Sequence, residues 1–257
     1  MSVVMRSWWL VGGWLVLTHP LAVRAQDSLG IGQSAERLQS ASLGVTVGYL
    51  LQLPPDYSGR PADPFPLLVF LHGAGERGNG TTELGRLFKF GLPRIIRDGR
   101  RFPFVVVSPQ LPATEKRWPV KLIDEVIAEA RRQYRVDSLR IYLTGLSDGG
   151  DAAWTYAMAR PEVPAAIVPM AATGSVSGIC AMRRVAVWAF HGELDKDVPV
   201  GQEAKLVDAL NACRPPPPEP ARLTVYQGKG HLIWSRTYEG SAGVDIYAWL
   251  LAHRREP

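Results

Sequence analysis

The stretch Gly145-Leu146-Ser147-Asp148-Gly149 is the part of this sequence best suited to covalent chemistry. It follows an apolar run (Ile141, Tyr142, Leu143) and precedes a helical pattern containing Ala152, Ala153, Trp154 and Ala157. A serine on a tight strand-to-helix turn needs glycine two residues to either side, where side chains would clash, and the turn then exposes its hydroxyl. That hydroxyl is nearly inert near neutral pH until a base takes its proton. Five histidines are present, and His19 lies in the N-terminal segment. His72 (Leu-His-Gly-Ala-Gly) and His191 (Phe-His-Gly-Glu) directly follow apolar runs and read as turn-forming residues at strand ends. His253, in the terminal His-Arg-Arg-Glu-Pro, reads as solvated. His231 remains, in the glycine-rich loop Gly228-Lys-Gly-His-Leu-Ile-Trp234. Such a base needs a carboxylate to hold its tautomer and stabilise the imidazolium. His191-Gly-Glu-Leu-Asp195-Lys-Asp197-Val-Pro199 offers three, with Asp195 preferred, Asp197 second and Glu193 a distant third.

Acyl transfer through Ser147 would pass through a negatively charged oxygen. Each preorganised donor to that oxygen is typically worth about 3 kcal/mol of barrier. One expected donor is the backbone N–H of Asp148, directly after the serine. The other comes from the small-residue loop His72-Gly73-Ala74-Gly75, with Ala74 the preferred residue. Cysteine–histidine metal spacing is absent, and no metal or cofactor is expected. Cys180 and Cys213 are compatible with a disulfide in an oxidising compartment and equally with two free thiols.

These residues must be positioned by alternating strands and helices. Leu43 to Leu53, Pro66 to Leu71, Phe104 to Ser108, Leu139 to Thr144, Ala165 to Met170, Val185 to Phe190 and Leu223 to Tyr226 read as strands. Several are wholly apolar, as expected of strands buried on both faces. Val120 to Tyr134 carries a helical stripe of Leu122, Ile123, Val126, Ile127 and Ala130. Asp148 to Arg160, Gln202 to Ala212 and Ala242 to His253 also read as helices. The expected architecture is α/β, a mostly parallel central sheet flanked by helices. Only a short connection separates Met170 from Val185, so no large lid is expected there, and the site should be an open cleft. Trp154, Trp188 and Trp249 read as core. Trp118 and Trp234 lie in loops near the expected cleft and are open as core or as contacts to an acyl group or sugar.

The 257 residues suit one domain, with no internal repeat. Met1 to Arg6 is a short basic region, Trp8 to Leu17 is apolar, and Ala22-Val-Arg-Ala25 places small residues where a signal peptidase reads. Ten apolar residues are too few to span about 30 Å of hydrocarbon. The expected organisation is therefore a signal peptide over 1–25, a flexible lead-in over 26–40 and a catalytic domain over 41–257, exported to the periplasm or medium. The whole chain carries 29 basic and 24 acidic residues. Loss of Arg6 and Arg24 with the leader leaves 27 against 24, a balance of +3. That is too small to argue for nucleic acid or an anionic membrane as partner.

Leu71-His-Gly-Ala-Gly-Glu-Arg-Gly78 resembles the opening signature of the α/β-hydrolases grouped as predicted peptidases or phospholipase/carboxylesterase-like proteins. These are kin to dienelactone hydrolases and to secreted feruloyl and acetylxylan esterases. Ser108-Pro-Gln110, Arg140-Ile-Tyr-Leu-Thr-Gly-Leu-Ser-Asp-Gly-Gly150, His-Gly-x-x-Asp-x-x-Val-Pro and Gly-His-x-x-Trp are also similar, in the same order, from about residue 45 to residue 252. The resemblance implies the α/β-hydrolase fold, with Ser147 as nucleophile, Asp195 as acid and His231 as base. It implies hydrolysis of a small-molecule or polysaccharide-linked ester, with a serine peptidase as the nearest alternative and a non-catalytic binding module as a more remote one. Position 148 departs from the family, which commonly has Met, Ala or Gln there. A carboxylate pointing into the site would oppose the oxyanion, so Asp148 is expected to point away or to pair with a cation such as Arg77.

Overall fold

Runs that are apolar at successive positions form the middle of the sheet, because both of their faces are covered. The computed structural model describes residues 32–241 and 243–256. Among these, one sheet of eight strands forms: β1 (Ser34–Ser40), β2 (Val45–Gln52), β3 (Phe65–Leu71), β4 (Val105–Pro109), β5 (Val136–Leu146), β6 (Ala166–Met170), β7 (Ala186–Gly192) and β8 (Arg222–Tyr226). The spatial order is β1-β2-β4-β3-β5-β6-β7-β8. β1 and β2 are antiparallel to each other, and β2 to β4, whereas β4, β3, β5, β6, β7 and β8 all run parallel.

The helices are α1 (Gly91–Arg97), α2 (Val120–Gln133), α3 (Asp148–Ala159), α4 (Val200–Asn211), α5 (Trp234–Glu239) and α6 (Ile246–Leu251). Side chains alternate across a strand. In β3, Leu67, Val69 and Leu71 therefore join the core beneath α2, α3 and α4, while Leu68 and Phe70 join the opposite core beneath α1, α5 and α6. The same split divides Ile141 and Leu143 from Tyr142 and Leu146 in β5. The parallel strands end along one edge of the sheet, and the loops leaving β3, β5 and β7 carry the Ala74, Ser147 and Asp195 segments.

Two expectations change, and one stretch left unassigned by the sequence gains structure. Ser34–Ser40 is the outer strand β1 rather than lead-in. Its inward residues are Ser34, Leu38 and Ser40, so burial there leaves no apolar alternation to read. Leu84–Lys89 forms a 3-10 turn that leads to α1, in a stretch interrupted by Gly85, Gly91 and Pro93. The closing helix is short, because Asp245 caps it by accepting the amides of Tyr247 and Ala248 at 3.0 Å. The leader (1–25) and residues 26–31 of the lead-in lie outside the described residues. No described helix is long and apolar enough to cross a membrane.

Only fifteen residues, 171–185, join β6 to β7, and their regular element is one 3-10 turn, Ile179–Met182. Cys180 in that turn is disulfide-bonded to Cys213, which follows α4, with a Cα–Cα separation of 5.6 Å. The bond brackets β7, the Asp195 loop and α4.

Candidate active site

Ser147 sits between β5 and α3 at φ 52 and ψ −120, a left-handed conformation that costs a non-glycine residue about 1–3 kcal/mol. The turn is that sharp because its neighbours lack side chains. A Cβ on Gly145 would stand 2.2 Å from the Gly149 carbonyl oxygen, and one on Gly149 would stand 1.9 Å from that of Leu71. Ser147 N–H donates to Met170 O at 2.9 Å, which ties the turn to the end of β6.

His231 Nε2 is 3.1 Å from Ser147 Oγ, and His231 Nδ1 is 2.7 Å from Asp195 Oδ2. A carboxylate accepts, so Nδ1 carries the ring proton and Nε2 is left to accept from the serine hydroxyl. Asp195 is buried, and its Oδ1 accepts the amides of Asp197 and Val198 at 2.9 Å each. Neither alternative is hydrogen-bonded to the ring, although the Asp197 carboxylate comes within 4.8 Å of it. Asp197 is exposed, and Glu193 turns away to accept the Gly228 amide at 2.8 Å. Asp195, Asp197 and His231 are the one described cluster of three able to share a cation. Asp195 and His231 already satisfy each other, which leaves exposed Asp197 as the single free ligand.

The amides of Ala74 and Asp148 have no acceptor among the described residues. Their loops are in contact, since a Cβ on Gly73 would stand 2.8 Å from Leu146 Cδ1. Arg77 links them. Its guanidinium pairs with the Asp148 carboxylate, donates to Lys116 O at 2.6 Å and reaches Ala74 O at 3.4 Å. The Asp148 carboxylate is thereby engaged by a cation at the elbow. His72 lies beneath this loop, fully buried. Its Nδ1–H donates to Gly73 O at 2.6 Å, and its Nε2 accepts the Leu111 amide at 2.9 Å. Burial, reinforced by the Arg77 charge, pushes its pKa down to about 4, so the ring is a neutral strut.

Trp118 and Trp234 are both buried. Trp118 donates to His72 O at 3.1 Å, and Trp234 meets the His231 ring edge-on at 5.2 Å. They brace the site rather than offer a platform. His253 is not simply solvated, because its Nε2 pairs with Glu219 Oε2 at 2.9 Å. Two acidic neighbours escaped the sequence reading. Asp151, one helical turn beyond Ser147, accepts the Thr173 amide at 2.7 Å, and burial lifts its pKa to about 6. Glu203 lies behind Asp195, on α4. The i, i+4 spacing from Ser147 was a usable signal for Asp151; nothing local marked Glu203. A depression of about 590 Å³ is lined by Pro161, Arg183, Arg184 and His253 among others, and none of the residues around Ser147 faces it.

No protein-family model and no curated protein matches this sequence. Solved structures do. The chain is similar to a thermostable esterase, with 30% identity and a TM-score of 0.70 over 87% of this chain and 64% of that one. It is similar to a ferulic acid esterase, with 20% identity and a TM-score of 0.63 over 85% of this chain and 96% of that one. It is also similar to dipeptidyl peptidase 4 of Porphyromonas gingivalis, with 12% identity and a TM-score of 0.65 over 86% of this chain and 35% of that one. The chain thus spans about two thirds of the thermostable esterase and about one third of the peptidase. A mostly parallel eight-stranded sheet, a serine at positive φ between β5 and α3, and these neighbours together show that the chain has the α/β-hydrolase fold.

Proposed function

We propose that the protein is an exported serine hydrolase that cleaves carboxylic esters through an acyl-enzyme. The observation that carries this reading is the unbroken contact from Ser147 Oγ through His231 to buried Asp195, at 3.1 and 2.7 Å. Ser147 Oγ attacks the ester carbonyl carbon, and its proton passes to His231 Nε2. The carbonyl π electrons move onto oxygen, and the Ala74 and Asp148 amides receive that charge. Collapse breaks the carbon–oxygen bond to the alcohol, which leaves with the proton from His231. Water, deprotonated by the same ring, then repeats the sequence on the acyl-enzyme and frees Ser147. Each step uses this chain's own side chains and amides.

Export is supported by the N-terminal pattern and by the Cys180–Cys213 bond, which suits an oxidising compartment. The short β6–β7 connection leaves room for a bulky ester such as an acylated or feruloylated polysaccharide, and the similar structure at 30% identity being an esterase supports an ester over an amide. Hydrolysis is measured on acetyl, butyryl, feruloyl and long-chain esters beside a peptide library, with Ser147→Ala as control. Ester turnover abolished by Ser147→Ala is the expected result. Preferential peptide cleavage turns the reading to a peptidase, and full activity in Ser147→Ala overturns the mechanism. The exported protein should begin near Gln26 on N-terminal sequencing.

A further inference from the structure

Behind Asp195 lies a second buried ionisable pair that the proposed reaction does not use. His191, in β7, and Glu203, in α4, stand at either end of the loop that carries Asp195, and both side chains are 0% exposed. His191 Nδ1 is 2.6 Å from Glu203 Oε2. Its Nε2 is 2.8 Å from the Val198 carbonyl and 3.3 Å from Asp195 Oδ2. The contacts therefore run unbroken from Ser147 through His231, Asp195 and His191 to Glu203.

Proton counting limits what this pair is. A carbonyl only accepts, so His191 Nε2 carries a proton, directed at Val198 with Asp195 beside it. A further proton must lie between Nδ1 and Glu203, since otherwise two acceptors would face each other at 2.6 Å. Either Glu203 holds it as a neutral acid, or His191 holds it as an imidazolium. The Glu203 carboxyl also accepts Trp154 Nε1–H at Oε1 and the Ala172 amide at Oε2, both at 3.2 Å. Two fixed donors besides His191 converge on this carboxyl group, which favours its ionised form. Burial opposes a charged ring at His191. The Glu203 hydrogen bond, the Val198 carbonyl and the charges of Glu203 and Asp195 outweigh it and raise its pKa. Burial raises the Glu203 pKa in spite of the bonds from His191, Ala172 and Trp154; the imidazolium is nevertheless the form in which Nδ1, Trp154 and Ala172 all donate to one carboxylate.

We propose that His191, held as an imidazolium by Glu203, is a positioning residue that fixes Asp195 from behind and places a positive charge on the far side of the acid from His231. The inference rests on the triad reading above. A positive ring behind Asp195 opposes a second positive ring in front of it. Its removal lets His231 keep its proton to higher pH.

The ionisable groups facing His191 are Asp195 and Glu203. Those around His231 are Asp195, Asp197 and Asp151, the last with Asp148 and Arg117 nearby. Glu203→Gln alters one of these while keeping its shape and an amide donor for Nδ1. The pH dependence of kcat/KM for p-nitrophenyl acetate is compared between the unaltered chain and Glu203→Gln. The acid limb is expected to move to higher pH by about 1 unit; an unmoved limb overturns the proposal. Should the variant fold poorly, the ring nitrogen resonances of His191 in the unaltered protein carry the same information. An imidazolium pattern persisting through the acid limb supports the proposal, and a neutral ring there overturns it. Failure of the triad reading looks different: the unaltered protein hydrolyses no ester, or Ser147→Ala hydrolyses as fast. Failure of this inference alone leaves an active enzyme, an inactive Ser147→Ala and an unmoved limb.

Discussion

Asp195 and Asp197 are two residues apart and chemically alike, yet Asp195 is buried against His231 and Asp197 is exposed. Asp195→Asn removes the acceptor that keeps the proton on His231 Nδ1, and kcat for ester hydrolysis is expected to fall by about 10⁴-fold. Asp197→Asn should stay within about tenfold of the unaltered protein, because its contact to Asp195 is through its backbone amide. Steady-state kinetics on the pair checks both, and equal losses would contradict the assignment. Asp151 gives a stability prediction. Its folded pKa of about 6 lies above the ordinary 3.8, so between those values the folded chain binds more protons and stability falls as pH rises. Asp151→Asn should raise stability at pH well above 6 by about 1–2 kcal/mol, allowing for partial solvent screening, and add little below 3.8. Thermal melts at the two ends of that window test it. Ser147, His231 and Asp195, which the structure brings into contact, each sit in a short run whose neighbours betray the turn. His191 read as a plain turn residue, since its partner Glu203 arrives from another element and the sequence between them carries no sign of the contact.

At the scale of elements, Arg77 has a longer reach than its exposed loop suggests, because it holds the elbow, the Ala74 loop and the segment at Lys116 together. Arg77→Met keeps the stem and loses those bonds. It should lower kcat by about tenfold or more with a smaller change in KM, because the loosened amides matter most when charge develops on the substrate oxygen. A change confined to KM would assign Arg77 to substrate binding instead. The middle strands were readable as apolar runs, and α2 as a stripe at helical spacing. β1 was not, since two of the three side chains it buries are serines. Nor were the Leu84–Arg97 segment and α5, each too short or too broken by glycine and proline to show a period.

For the whole molecule, the Cys180–Cys213 bond closes a loop 33 residues long around the strand and helix that frame Asp195. A loop of that length is worth about 3–4 kcal/mol of stability through the unfolded chain. Cys180→Ser with Cys213→Ser should lose about that much in denaturant titrations while keeping the geometry around Ser147. A double variant as stable as the unaltered protein would show that the bond is dispensable. The fifteen residues between β6 and β7 bear on how the protein would meet an insoluble ester. Among the described residues this connection carries no segment long enough to swing aside at an oil–water boundary, so turnover should climb smoothly with dissolved ester and show no jump where micelles or droplets first appear.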